Sequence, residues 1–308
     1  MVKCLECYQI FNDEGLLHRH LRSHDLKIAS YYYKHFPRHD LLTHEFINFT
    51  DSEHYFNHNF NSRDNFKKWF HSQKDEILQK YCKEYLSQRK LIKGIYAPCQ
   101  VVLRTLECPS ILGFDRLFGD YYSLCYQLGF NVVFERWKSH LSYSIDPEEF
   151  VYIDTREQNP LSFKNLKTQV TTLDVGDYAF GKETQLYNIF IERKSLPDFI
   201  NSFGRDIKRI TKEMERAKMA GKRIVVVVEI DLKFALIFNK LPWIPKIIKV
   251  TPEYVFHNVR TVLQNFHNVQ FLFAKNRFEA SRIIEYIFRQ HGDCFKYDLQ
   301  LALDMGLL

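Results

Sequence analysis

The chain contains no run of 18 apolar residues, so it offers no transmembrane helix. Its first residues, MVKCLECYQI, hold a cysteine pair where a signal peptide would carry its apolar region. That argues against secretion and for an intracellular protein. A disulfide framework is missing too. Of seven cysteines, Cys4 and Cys7 form a CxxC pair while Cys82, Cys99, Cys108, Cys125 and Cys294 are scattered, a pattern that suits a reducing interior. What is present is a 45% apolar fraction with 27 Phe and 18 Tyr, enough for real cores and against wholesale disorder. A length of 308 residues suggests two domains of ordinary size and a small extra module.

The net charge of +6 is unevenly spread. Residues 205–223 hold eight basic side chains, Arg205, Lys208, Arg209 and Lys212 among them, against three acidic ones. A positive field focused in this way favours a long polyanion, with a solvated helix face as the plainer reading.

Residues 4–24 read CLECYQIFNDEGLLHRHLRSH. The spacing Cys4-x2-Cys7-x12-His20-x3-His24 is that of a zinc finger with two Cys and two His ligands, expected over 1–25. His20 and His24 share one helix face, and Phe11 and Leu17 supply a miniature core. So short a segment cannot fold on apolar burial, and Zn2+ binding, worth roughly 10–16 kcal/mol in such peptides, would be its folding energy. A DNA contact and a protein-packing role both remain open, since one finger reads only about three base pairs.

Residues 26–145 are expected to be mainly helical. The stretch 65–91 places Phe66, Trp69, Phe70, Ile77, Leu78, Tyr81, Tyr85 and Leu86 at spacings that suit one or two amphipathic helices, with the aromatics packing in a core rather than stacking on bases. Residues 108–130, with Pro109, Ser110, Phe118, Gly119, Tyr121, Tyr122, Leu128 and Gly129, resemble the small helical repeat found beside homing endonucleases. That resemblance implies a DNA grip of helix-turn-helix type; the alternative is an ordinary helical hairpin. SIDPEE, 144–149, reads as a hinge.

From 146 to 292 strands and helices alternate as an α/β layer fold. Strands are expected at 151–155, 170–180 (with a glycine interruption), 187–192, 223–230 and 269–273, and helices at 206–220, 252–266 and 277–290. Three strand ends are acidic: Asp154, Asp177 and Glu192. Neighbouring strands lie about 4.8 Å apart, so these carboxylates would converge, and a divalent cation would relieve their repulsion. All-oxygen ligands favour Mg2+ or Mn2+. Glu192 and Lys194 straddle Arg193 and share a strand face, so metal and ammonium could reach one phosphate.

IDTRE, VGDY, IERKSLPDF, INSFGRDIKRI and VVVVEID together resemble the nuclease domain of the XPF/Mus-type structure-specific endonucleases, within the restriction-enzyme-like group. The signature is complete as Gly176, Asp177, Glu192, Arg193, Lys194 and Asp198. The resemblance implies a central mixed sheet flanked by helices and metal-dependent incision of branched or flapped DNA. It also implies catalytic or metal-binding roles for Asp154, Asp177, Glu192 and Lys194, with Arg193, Asp198, Arg156 and Glu157 in support. Asp198 has a rival role in a capping box with Ser195. The resemblance further implies pairing as a homodimer or heterodimer through the nuclease domain. Two alternatives stay open, a catalytically silent DNA-binding scaffold and a nuclease acting on RNA or another phosphodiester. Residues 293–308 read as a tail without the Gly-rich hairpins such nucleases usually carry.

Overall fold

The computed structural model describes residues 1–40, 45–51, 54–55, 58, 60, 63–137, 144–183, 185–245 and 248–308. By compactness the chain divides into Met1–Tyr85 with Leu106–Cys108, and Leu86–Thr105 with Pro109–Leu308. No helix among the described residues is long and apolar enough to cross a membrane.

In the first unit, β1 (Val2–Lys3) and β2 (Ile10–Phe11) pair antiparallel and lead into α1 (Glu14–His20). Asp13 caps α1 by accepting the Leu16 amide at 2.8 Å. Cys4, Leu17 and Leu21 share one core with Ala29, Tyr31 and Tyr32 of α2 (Ile28–His35) and with Ile47, Phe49 and Tyr55. The finger is therefore not bounded at 25: its small core continues into the chain that follows, which supplies the apolar area it lacks. α3 (Arg63–Ser72) and α4 (Asp75–Lys93) are two helices, and Trp69 lies 5.0 Å from Tyr81 by ring centroids. The aromatics of this stretch pack on one another.

In the second unit, α5 (Gln100–Arg104), α6 (Ile111–Phe118) and α7 (Tyr121–Gln127) precede the sheet. The 108–130 stretch thus contains two consecutive helices, which the helix-turn-helix reading and the hairpin reading both require. Gly119, at φ +80°, ends α6, and Asp120 caps α7 through the Ser123 amide. Arg136 ties both helices by bonding Asp115 at 2.7 Å and Asp120 at 2.6 Å.

The sheet comprises β3 (Phe150–Asp154), β4 (Thr168–Thr171), β5 (Tyr178–Lys182), β6 (Gln185–Lys194), β7 (Arg223–Val228) and β8 (Val269–Phe273), in the order β4-β3-β5-β6-β7-β8. β3 is parallel to β4 but antiparallel to β5, and β6, β7 and β8 run parallel. The single strand expected over 170–180 is two. β4 and β5 flank β3 on opposite sides, so the chain must leave the sheet between them. α8 (Leu196–Gly204), α9 (Ile207–Met219), α10 (Leu232–Ala235), α11 (Pro252–Asn265), α12 (Arg277–Arg289) and α13 (Leu299–Asp304) complete the unit.

Alternation along the strands divides the sheet into two faces. Ile153, Tyr178, Ile189, Ile191, Val225 and Val227 pack against Ile283, Ile284, Ile287 and Phe288 of α12. On the other face Phe199 and Phe203 of α8 meet Phe273 and Phe271 of β8. Residues 293–308, expected as a tail, instead cover the sheet edge. Leu299 and Ala302 enter the core, Gln300 accepts the Phe273 amide at 2.9 Å, and Gln270 donates to the Phe295 and Tyr297 carbonyls. Polar side chains close that open strand edge, a device that apolar periodicity does not register.

Candidate active site at the end of the central sheet

β6 brings three charges to its end. The period of two sends Phe190, Glu192 and Lys194 to the α9 face and Ile189, Ile191 and Arg193 to the α12 face. In the parallel register Glu192 lies beside Val226 and Lys194 beside Val228. Lys194 is 8% exposed, and its Nζ donates to Glu192 Oε1 at 2.9 Å.

Asp177 reaches the same place from the loop before β5. Its amide donates to the Ile191 carbonyl at 2.7 Å, and its Oδ2 accepts the Arg193 amide at 2.7 Å. This approach requires Gly176, which has φ +73° and would place any Cβ 2.7 Å from the Ile191 carbonyl oxygen. Gly176→Ala is therefore expected to cost about 2–4 kcal/mol, through left-handed backbone strain and displacement of β6. Urea unfolding at unchanged m-value is the measurement.

Asp177, Glu192 and Lys194 line one cavity of about 550 Å³, with Arg156, Arg209, Arg216 and Lys222 around them and Phe203, Ile210 and Met214 forming an apolar wall. A larger hollow of about 1110 Å³, between 161–165 and α12, contains none of the three. Burial first, then the charge of Glu192, pushes the Asp177 carboxyl well above its usual range, against the pull of the Arg193 amide and Lys194.

Of the other expected site residues, Arg156 and Arg209 line this cavity, while Asp154, Glu157, Arg193 and Asp198 do not. Asp154 is 1% exposed and committed: Oδ1 accepts the Arg156 amide and Nε at 2.9 and 2.6 Å, and Oδ2 accepts the Leu173 amide at 2.7 Å. Among the described residues, Asp154, Asp177 and Glu192 do not bring three ligand atoms within 4.8 Å of one another. The expected three-carboxylate cluster is thus not formed, because Arg156, two residues on, turns back onto Asp154. Its guanidinium holds the Asp154 carboxyl down at about 2. The folded pKa is depressed, so this contribution is present above pH 4 and lost as the pH falls from 4 to 2. Asp154→Asn should cost about 1–2 kcal/mol at neutral pH, with the difference from wild type vanishing near pH 2 in acid-unfolding curves.

Arg193 points away from the cavity and binds Glu157 at 3.0 Å and Glu229 at 2.9 Å. Asp198 sits in the first turn of α8, where its amide donates to Ser195 Oγ at 3.3 Å and its Oδ2 accepts the Ser195 hydroxyl at 2.6 Å. That is the capping role. Of the four basic residues singled out in 205–223, Arg209 lines the cavity, while Arg205, Lys208 and Lys212 are exposed outside it. Arg216, also on the cavity, was legible in principle. It follows Arg209 by seven residues and so shares its helix face.

In the first unit Cys4, Cys7, His20 and His24 place one ligand atom each within 4.8 Å of the others. His20 and His24 approach at 3.0 Å between Nε2 atoms, Cys7 Sγ lies 3.1 Å from His20 Nε2, and Cys4 Sγ lies 3.7 Å from His24 Nε2. A tetrahedral zinc with bonds of about 2.0–2.3 Å spaces its ligands by roughly 3.3–3.8 Å. The observed 3.0–3.7 Å spacings come within a few tenths of an ångström of that, so the four residues are compatible with zinc.

Residues 145–287 match the family model described as the ERCC4 domain. No curated protein matches the chain. The structure is similar to that of XPF from Aeropyrum pernix, with a TM-score of 0.34 and 17% identity over 46% of this chain and 66% of that one. It is likewise similar to XPF from Aeropyrum pernix in complex with DNA, with a TM-score of 0.34 and 17% identity over 46% and 63%. The chain thus spans less than two thirds of either solved chain. The segment that matches the ERCC4 domain model carries Gly176, Asp177, Glu192 and Lys194.

Proposed function

We propose that this protein is a metal-dependent endonuclease that hydrolyses DNA phosphodiester bonds at branched or flapped structures. The observation that carries the reading is the meeting of Asp177, Glu192 and Lys194 in one cavity whose rim includes Arg209 and Arg216. Asp177 and Glu192 are the residues that would hold Mg2+ or Mn2+. Their fit is chemical: two carboxylates line one cavity, where burial and then the charge of Glu192 disfavour an ionised Asp177, and a hard cation would relieve that. When bound, the cation supplies Lewis-acid polarisation of the phosphate. The ammonium of Lys194, fixed by Glu192, orients the attacking water or steadies charge on a phosphate oxygen. The guanidinium groups of Arg209 and Arg216 bind flanking phosphates.

A cleavage panel of flaps, forks, Holliday junctions, linear duplex and RNA, each with Mg2+ or Mn2+, tests this. Faster incision of the branched DNA is expected, and no cleavage of any DNA with either ion would overturn it. Repeating the panel without residues 1–25 isolates the finger's share in targeting. In the same reading Zn2+ holds that finger together. Cys7→Ser is expected to lower zinc content from one ion per chain to none and to unfold the segment around α1, as read by metal analysis and amide exchange.

A further inference from the structure

Over its described parts, 232–245 and 248–250, the chain between β7 and α11 carries Lys233, Lys240 and Lys249 and no Asp or Glu. The segment leaves the sheet beside the site, since Val228 pairs with Lys194 and the Glu229 amide donates to the Lys194 carbonyl at 3.0 Å. It returns beside α8, where a Cβ on Gly204 would lie 2.9 Å from the Val250 side chain. Leu232, Ala235 and Phe238 are at most 1% exposed and anchor it, and Asp231 caps α10 by accepting the Lys233 amide at 2.9 Å. Against that fixed base Phe234 is 41% and Trp243 64% exposed. Lys233 and Lys240 are exposed as well, with Lys233 Nζ 4.9 Å from the Phe234 ring centroid.

Outward rings on an anchored base, beside Lys240 and Lys233 (the latter also 3.4 Å from Asp231), offer π-faces to bases and ammonium groups to phosphates. Paired bases cannot present their faces to such rings, so the complementary ligand is an unpaired strand. We propose that this segment holds single-stranded DNA beside the cleavage cavity, with Trp243 and Phe234 stacking on bases and Lys233 and Lys240 contacting phosphates. The inference rests on the nuclease reading and adds how the enzyme would favour junctions: the cavity takes the phosphate while this platform takes the unpaired arm.

The test uses the full chain without added divalent cation and measures anisotropy with labelled oligo-dT and with a blunt duplex of equal length. F234A/W243A is expected to weaken oligo-dT binding roughly tenfold or more, with duplex binding changed less than about threefold. K233A/K240A should lower the salt slope for oligo-dT by about 1.4, or 0.7 for each lost phosphate contact. All four side chains are exposed, so the melting temperature should hold. Unchanged oligo-dT affinity in F234A/W243A overturns the proposal, as does an equal loss on duplex. Wild type binding anionic phosphatidylglycerol vesicles through Trp243, with oligo-dT untouched by the variant, overturns it in favour of a membrane surface. A wild type that cleaves flaps while both variants bind oligo-dT normally defeats this proposal alone. A wild type that cleaves nothing, yet loses oligo-dT on F234A/W243A, defeats the nuclease reading and leaves the platform standing.

Discussion

Lys194→Ala is expected to reduce DNA cleavage by a factor of about 10²–10³, the usual loss when one preorganised donor to developing charge is removed. The prediction follows from how the group is held. Lys194 is nearly buried, bonded at 2.9 Å to Glu192 and fixed by the β6–β7 register, so its ammonium is already aimed into the cavity before any substrate arrives. Asp177→Asn should cause a comparable loss. Its amide oxygen can still accept the Arg193 amide, so the charge is removed while the turn that holds β6 is kept. Single-turnover cleavage at saturating enzyme is the readout. DNA affinity should stay within about threefold, because binding rests mostly on the many other basic groups. Nicking that persists undiminished in either variant, with contaminating nuclease excluded, contradicts the assignment. Lys194→Arg should not rescue, since a forked guanidinium does not fill the place of a compact ammonium in so enclosed a position.

The sequence disclosed the sheet where burial is two-sided or strictly alternating. RIVVVVEI became β7 and VQFLF became β8 because a strand buried on both faces must be apolar throughout. Glu192 and Lys194 were legible as a pair because the strand period alone places them on one face. Asp154 was not, since its partner is set by how Arg156 folds back, and strand spacing says nothing about that. The same limit applies to Arg193. Alternation put it opposite Glu192 and Lys194, yet the signature drew it into the site by proximity in sequence. The edge cover formed by 293–308 escaped because it depends on Gln270 and Gln300, whose role is hydrogen bonding across 25 to 29 positions of chain rather than apolar periodicity. The finger's merger with α2 was hidden for a related reason: ligand spacing specifies the metal site but not what covers it.

Arg193→Ala is expected to destabilise the second unit by about 3–5 kcal/mol, because it strands two carboxylates rather than deleting one bond. Arg193 makes a fork to Glu157, with Nε and NH2 at 3.1 and 3.0 Å, and reaches Glu229 at 2.9 Å. The three side chains are only 13%, 7% and 14% exposed, so water cannot take over the lost bonds. Arg277 keeps one long ion pair to Glu229 at 3.8 Å, outside hydrogen-bond reach. For a unit of this size the loss corresponds to roughly 6–20 °C in Tm. A second substitution set separates structure from chemistry. R193M/E157Q/E229Q removes all three charges together and should recover most of the lost stability. Measured below its melting temperature, that triple variant should also recover cleavage, because Lys194, Glu192 and Asp177 keep their places on the opposite face. Recovery of stability with cleavage still absent would instead make Arg193 part of the reaction.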